Sequence, residues 1–256
     1  MYTIALFHLK GGVGKTTSAV ALAMQAGFAG QRCLLWDLDP QGAASWMLGA
    51  GSEHKQKTLF KGQAHLGQFI QPGPIPELDV LPADFNLRKA DGWLADMPKP
   101  AQRLTQVLSM LSEQYSLCII DLPAGLGHMA ELVLKQADLV LLPLLPSPLN
   151  LQATALFREK EPLLKCRRAP LAFFNRVDLR LNQHKQSVLN PPAACGAMLH
   201  TVIKQHAAIE QLASGSQLPV AGAAVWSLYR ELWSEVQMQM AQDQQHAVLR
   251  SGKNLA

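Results

Sequence analysis

The chain has 256 residues, 48% apolar and 16% charged, with a formal net charge of +4; this excludes a disordered chain and leaves room for one large α/β core. No run of eighteen apolar residues occurs, so no membrane-spanning helix is expected. The four cysteines, Cys33, Cys118, Cys166 and Cys195, form no C-x-x-C pair, so neither a zinc site nor a redox pair is signalled, and reduced thiols are the simplest reading.

In chain order, "MYTIALFHLK" has neither the charged start nor the cleavage site of a secretory signal and reads as a first strand ending at Leu9. The Gly-rich "KGGVGKTT" follows, and a helix opens at Lys15 and runs to about Ala29, with Gly30 as its cap. Further strands are expected at "CLLWDLD", "LDVLPA", "LCIIDLP", "DLVLLPL", "PLAFFNRV" and "MLHTVI". These runs lack clean alternation, as strands buried on both faces do. Helices are expected near 101–114, 127–136, 151–164, 183–190 and 206–214, and a long last one from about Ser227 to Leu249. Residues 71–100 are rich in Pro and Gly and read as loops around one strand. Trp226, Tyr229 and Trp233, spaced three and four apart, read as core anchors of the last helix. The alternation of strands and helices predicts an α/β fold, a doubly wound, mostly parallel sheet with helices on both faces, and the Gly-rich loop between the first strand and helix makes it of P-loop NTPase type. One domain is expected over residues 1–250, with a tail at 251–256.

The loop carries the first chemistry. Gly11, Gly12 and Gly14 remove Cβ atoms so that backbone N–H groups, with that of Val13 among them, can converge on phosphate oxygens. The helix N-terminus adds partial positive charge. Lys15 would reach the β- and γ-phosphates, the Thr16 hydroxyl would ligate Mg²⁺, and Thr17 would bond the α-phosphate. Two features depart from the ordinary spacing: Leu9 stands where a glycine is usual, and Lys10 adds a charge that phosphate cradling does not require. His8 reads as a strand-end residue with no assigned role.

Asp37 and Asp39 in "LLWDLDPQGAAS" lie two apart and would face one side of a strand end near the phosphates. Asp37 would hold Mg²⁺ through water. "FFNRVD" puts Asn175 and Asp178 at an N-x-x-D spacing. That spacing serves purine recognition or, for Asp178, an ordinary turn.

"KGGVGKTT" resembles the deviant Walker A motif of the ParA/MinD/Soj superfamily of ATPases. The D-x-D-P-Q-G of residues 37–42 resembles its first switch, and "YSLCIIDLPAGLG" its Walker B strand with the second switch. The resemblance implies that Lys10 reaches across a homodimer to the ATP held by its partner. It implies that Asp39 positions the attacking water, that Asp121 bonds Mg²⁺ or its waters, and that the base is adenine, with Asn175 near it. The family usually has two prolines after this aspartate, whereas here Leu122, Pro123, Ala124 and Gly125 follow; Gly125 and Gly127 would let the segment move. The cofactors implied are ATP and Mg²⁺. The partners implied are non-specific DNA and a ParB-like or other activating protein, in the cytoplasm and on the nucleoid. The cargo would be a plasmid, a chromosome region or a protein cluster. An operator-binding role is not expected, because the loop begins ten residues into the chain.

Charge is unevenly placed. Residues 1–150 carry 11 Lys and Arg against 12 Asp and Glu, and residues 151–256 carry 12 against 7. Residues 158–185 alone hold 8 basic against 3 acidic side chains, which suits a polyanion. Arg158, Lys165, Arg167 and Arg168 are the candidate DNA contacts. Where many relatives carry another DNA-contacting arginine this chain has Ala207 and Ala208, leaving Lys204 nearest. A MinD-like ATPase working on a membrane surface would need a basic amphipathic C-terminal helix. The tail is Gln-rich, with only Arg250 and Lys253 basic, so no membrane partner is expected. Paired interface cysteines of an iron–sulfur relative are missing. A nucleotide-gated binding protein with little turnover is the remaining alternative, and the presence of Lys10, Lys15 and Asp39 argues for hydrolysis instead.

Overall fold

The computed structural model describes residues 1–212 and 224–253. All seven expected strands form, and an eighth joins them. They are β1 (Tyr2–Leu6), β2 (Cys33–Asp37), β3 (Gln71–Pro72), β4 (Leu78–Leu81), β5 (Leu117–Asp121), β6 (Leu139–Leu144), β7 (Leu171–Val177) and β8 (Met198–Lys204). The helices are α1 (Lys15–Phe28), α2 (Ala43–Met47), α3 (Gln56–Phe60), α4 (Ala90–Ala95), α5 (Pro100–Leu111), α6 (His128–Gln136), α7 (Pro148–Leu164), α8 (Asn182–Leu189), α9 (Ala207–Leu212) and α10 (Ala224–Lys253). The sheet order is β3-β4-β2-β5-β1-β6-β7-β8. Every pairing is parallel except the antiparallel edge of β3 on β4.

Two apolar layers sandwich the sheet, which explains why the strands show no alternation. Ile4 and Leu6 of β1 face α1 and α10, while Ala5 and Phe7 face the layer containing residues of α3–α7. Trp226, Tyr229 and Trp233 are all buried in the first of these layers, as expected for core anchors. The Gln25 amide of α1 donates to the Trp226 carbonyl at 2.6 Å, tying α10 to α1.

Some boundaries and short elements differ from expectation. β1 ends at Leu6 rather than Leu9, so His8 and Leu9 belong to the loop. The strand β3 and the short helices α2, α3 and α4 were not anticipated, because elements of two to six residues are too short to show a period. The expected helix at 206–214 is seen as Ala207–Leu212; residues 213 and 214 lie outside the described residues. The helix α10 continues to Lys253, past the expected tail boundary, and residues 254–256 are outside the described residues.

The topology fixes where a ligand can sit. From β1 the chain turns to one side of the sheet, and with β6 it turns to the other. In an open α/β sheet the crevice at the carboxyl ends beside such a reversal is the binding position. The loop 7–14 leaves β1 at that point.

Candidate nucleotide site

The loop is built around left-handed glycines. Gly12 has φ +76° and Gly14 has φ +90°, a region open to glycine at little cost. Gly14 is the N-cap of α1 and offers no side chain to it, so the first N–H groups of that helix face an incoming anion. Gly14 is needed on a second count. A Cβ there would lie 2.3 Å from Asn175 Nδ2. Gly14→Ala is therefore expected to cost roughly 2–4 kcal/mol from backbone strain and displacement of Asn175. That is a Tm lower by roughly 5–15 °C for a chain of this size. A thermal melt with an unchanged Tm would count against this loop conformation.

Lys15 opens α1 and is only 6% exposed. Burial holds its ammonium below the usual lysine range, against the pull of the Asp121 and Asp39 carboxylates. Lys10 is exposed. The two lysines thus differ in kind: one is fixed inside the site, and the other stands free at its rim.

β2 and β5 are neighbours in register, and Asp37 pairs with Asp121 at their carboxyl ends. Both carboxylates are fully buried. Asp37 is already engaged: Oδ2 accepts from the Ser45 N–H at 2.9 Å and the Ser45 hydroxyl at 2.6 Å, and Oδ1 accepts from the Asp39 N–H at 3.0 Å. Burial still pushes its carboxyl up to about 6. Among the described residues neither oxygen of Asp121 makes a hydrogen bond of full geometry, although the Thr16 hydroxyl lies near enough to draw its carboxyl down. Burial first, and the Asp37 charge next, push Asp121 well above the usual carboxylate range. A buried carboxylate without full hydrogen bonds is costly alone, and a hard cation bound by oxygen ligands is what satisfies it. Thr16, half-buried on the first turn of α1, completes a donor set fit for Mg²⁺.

Asp39 is half-buried. Its Oδ1 accepts from the Gln41 N–H at 2.9 Å, and the turn closes through the Gly42 N–H on the Asp39 carbonyl at 2.8 Å. Gln56 braces this segment from below: its amide donates to the Asp37 carbonyl at 3.0 Å and to Pro82 at 2.8 Å. In the other switch, Gly125 has φ +92°. A Cβ on Gly127 would lie 2.4 Å from Asp91 Oδ2, and Asp91 Oδ1 accepts from the Met129 N–H at 3.1 Å. A cavity of about 370 Å³ separates the two switch segments, lined by Leu38, Pro40, Asp91, Pro123 and Gly125 among others. Ser45, Gln56 and Asp91 carry no sequence signal, because each acts on a residue distant in the chain or beyond any motif.

Asn175 stands under the loop. Its Nδ2 donates to the Val13 carbonyl at 2.9 Å, its Oδ1 accepts from the Arg176 N–H at 3.0 Å, and the residue is 1% exposed. What the structure shows for Asn175 is bracing of the loop, not an edge turned freely to a base. Arg176, at φ +54°, reaches the Gly12 carbonyl at 2.9 Å. Asp178 accepts from Arg180 and closes a turn, which is the turn reading.

Four basic side chains of the stretch, Arg158, Arg167, Arg168 and Arg180, are ion-paired within the chain. Arg158 pairs with Glu161 at 2.8 Å and donates to the carbonyls of Pro170 and Cys195 at 3.0 and 2.7 Å. A guanidinium that satisfies backbone carbonyls in this way is held within the fold. One guanidinium nitrogen of Arg168, Nη1, donates to both oxygens of Asp243 at 2.9 and 2.7 Å, and Arg167 is paired with Asp138. Lys165 and Lys204 are exposed and form no ion pair among those described.

Comparison with known proteins places the chain in a family. A family model described as an AAA domain matches residues 1–165. The chain belongs to this family and, within it, to the ParA/MinD/Soj superfamily. It is 34% identical over 142 residues to the chromosome-partitioning ATPase Soj of Treponema pallidum, covering 56% of each chain. It is 35% identical over 144 residues to the chromosome partitioning protein ParA of Myxococcus xanthus, covering 55% of this chain and 51% of that one. The chain thus matches about half the length of these curated relatives. The ATP complex of a Cyanothece McdA variant superposes with a TM-score of 0.80 at 21% identity, over 94% of this chain and 96% of that one, a likeness of fold.

Proposed function

We propose that this member of the family is a slow, partner-stimulated ATPase that dimerises on ATP, rides non-specific DNA, and positions a cargo. The observation that carries the reading is the pairing of a buried Lys15 with an exposed Lys10 on one phosphate loop. One ammonium is placed for the chain's own nucleotide; the other is free to meet a second copy's. Residues Gly11 to Thr17 would cradle the phosphates, and the base would lie by β7 near Asn175. Mg²⁺ would be held by Thr16 and Asp121, with Asp37 acting through water, and it supplies charge neutralisation on the phosphates. Asp39 orients the attacking water from a half-open position. Lys10 entering in trans adds positive charge to the transferring phosphate, so dimerisation follows nucleotide state. The family's partition proteins support DNA as the track and a ParB-like activator. Lys165 and Lys204 are the members of the basic set left for phosphate contact, with Arg167 and Arg168 reaching DNA only at the expense of Asp138 and Asp243.

The test is retention of the Asp39→Ala protein on arbitrary duplex DNA, with ATP against ADP, over a salt series. ATP-dependent retention that falls steeply with salt is expected. No retention with either nucleotide would remove DNA as the track and direct the search to a membrane or protein surface.

A further inference from the structure

His8 has no assigned role in the motif, yet it is placed where three parts of the site meet. The loop residues Lys10, Gly11 and Gly12 are exposed, while His8, two residues before them, is 3% exposed. Both ring nitrogens are used. Nδ1 accepts from the Lys10 N–H at 3.0 Å. That bond puts the proton on Nε2, which then donates to Thr154 Oγ1 at 3.1 Å. The Thr154 hydroxyl in turn donates to the Asn150 carbonyl at 2.9 Å. The His8 carbonyl receives the Gly125 N–H of the second switch at 3.5 Å. Phe7 and Phe157 meet at 5.1 Å between ring centroids and hold this strand end to α7. The backbone of Lys10 is thereby anchored to α7, whereas the cradle is anchored to α1 and β7.

We propose that His8 is the positioning residue of Lys10, fixing the backbone from which its ammonium leaves the loop. The inference rests on Lys10 acting across the dimer. A long side chain that must find a phosphate on another subunit loses conformational freedom when it does so. Fixing its base beforehand lowers that loss, as a supporting shell does for any preorganised site. The imidazole suits the task because it stays neutral: burial pushes it down to about 4, opposed by the hydrogen bond with the Lys10 backbone and helped by the charges of Lys15 and Lys10. Neutral, it remains an acceptor for the Lys10 amide.

The test uses the full chain with His8→Ala, His8→Asn and His8→Gln, and Lys10→Ala as reference. An Asn places Oδ1 where Nδ1 stood and keeps the acceptor for the Lys10 N–H; a Gln reaches toward Thr154 and does not. Three quantities are read: ATP affinity of the monomer, ATP-dependent dimer fraction by light scattering, and hydrogen exchange of the Lys10 amide. His8→Ala is expected to hold ATP affinity within about 3-fold, to weaken the ATP dimer about 10-fold, the equivalent of one hydrogen bond, and to deprotect the Lys10 amide. His8→Asn should restore dimer and protection together, and His8→Gln neither. A parental dimer fraction in His8→Ala overturns the proposal. So does an equal loss of ATP affinity, which would mean that the cradle has collapsed, or an Asn no better than a Gln. If His8→Ala does not fold, the Asn and Gln pair decides. Lys10→Ala separates the two levels. It should bind ATP as a monomer and fail to dimerise; normal dimerisation there would sink the trans role itself, whatever His8 does.

Discussion

Lys15→Ala should abolish nucleotide binding. Lys15 is 6% exposed at the first turn of α1, and burial already disfavours its charged form. A phosphate arriving there meets a cation stripped of water, where charge-assisted bonds are strongest. Removing one partner of such a buried charged contact costs roughly 2–5 kcal/mol, or about 30- to 5,000-fold in affinity. Lys15→Gln keeps much of the side chain's volume without its charge and should fall in the same range; a circular dichroism melt shows that either variant is folded. Titration calorimetry with ATP and Mg²⁺ gives the answer. Retained affinity in a folded variant would remove Lys15 from the cradle.

Asp39→Ala should leave ATP bound and stop its turnover. Asp39 lies at the half-open mouth of the site, and its carboxylate makes one bond, to the Gln41 N–H. Losing that turn contact costs about 1 kcal/mol of stability, a fall in Tm of roughly 2–4 °C. The effect on chemistry is far larger. Removing a group that orients or deprotonates the attacking water lowers the rate roughly 10²- to 10⁴-fold. With Lys10 and Lys15 intact, the ATP dimer should then accumulate and persist. Asp39→Asn retains an acceptor for Gln41 and lacks the charge, so it should keep the stability and still lose turnover. Phosphate release at the parental rate in either variant would remove Asp39 from the mechanism.

The contrast between these residues and their surroundings shows what can be read from a chain. Gly11, Gly12, Gly14 and Lys15 are legible because a phosphate must be held by consecutive N–H groups of one turn and one helix start, so the requirement is written in consecutive residues. Asp121 is legible in the same way, at the end of the apolar run of β5. His8 sits beside the motif and is not legible, since its meaning lies in Thr154, 146 residues away. Asn175 was legible as a polar residue at a strand end, but its direction was not. Only the packing of β7 against the loop turned it to the Val13 carbonyl.

The order of apolar runs and amphipathic segments determined the layered α/β fold and seven of the strands, the glycine spacing marked the phosphate loop, and the resemblance to the family marked Asp121 among the acidic residues around it. These follow from local rules: burial on both faces of a parallel sheet, and contiguous backbone donors for an anion. Tertiary structure decided which charges are free. Arg167 meets Asp138 from 29 residues away and Arg168 meets Asp243 from 75, so a stretch strongly basic by count is partly compensated in space. It also decided that Asp37 is held by Ser45 while Asp121 faces the Thr16 hydroxyl and the Lys15 charge. Pairing and desolvation depend on distance in three dimensions, which a linear order of residues does not contain.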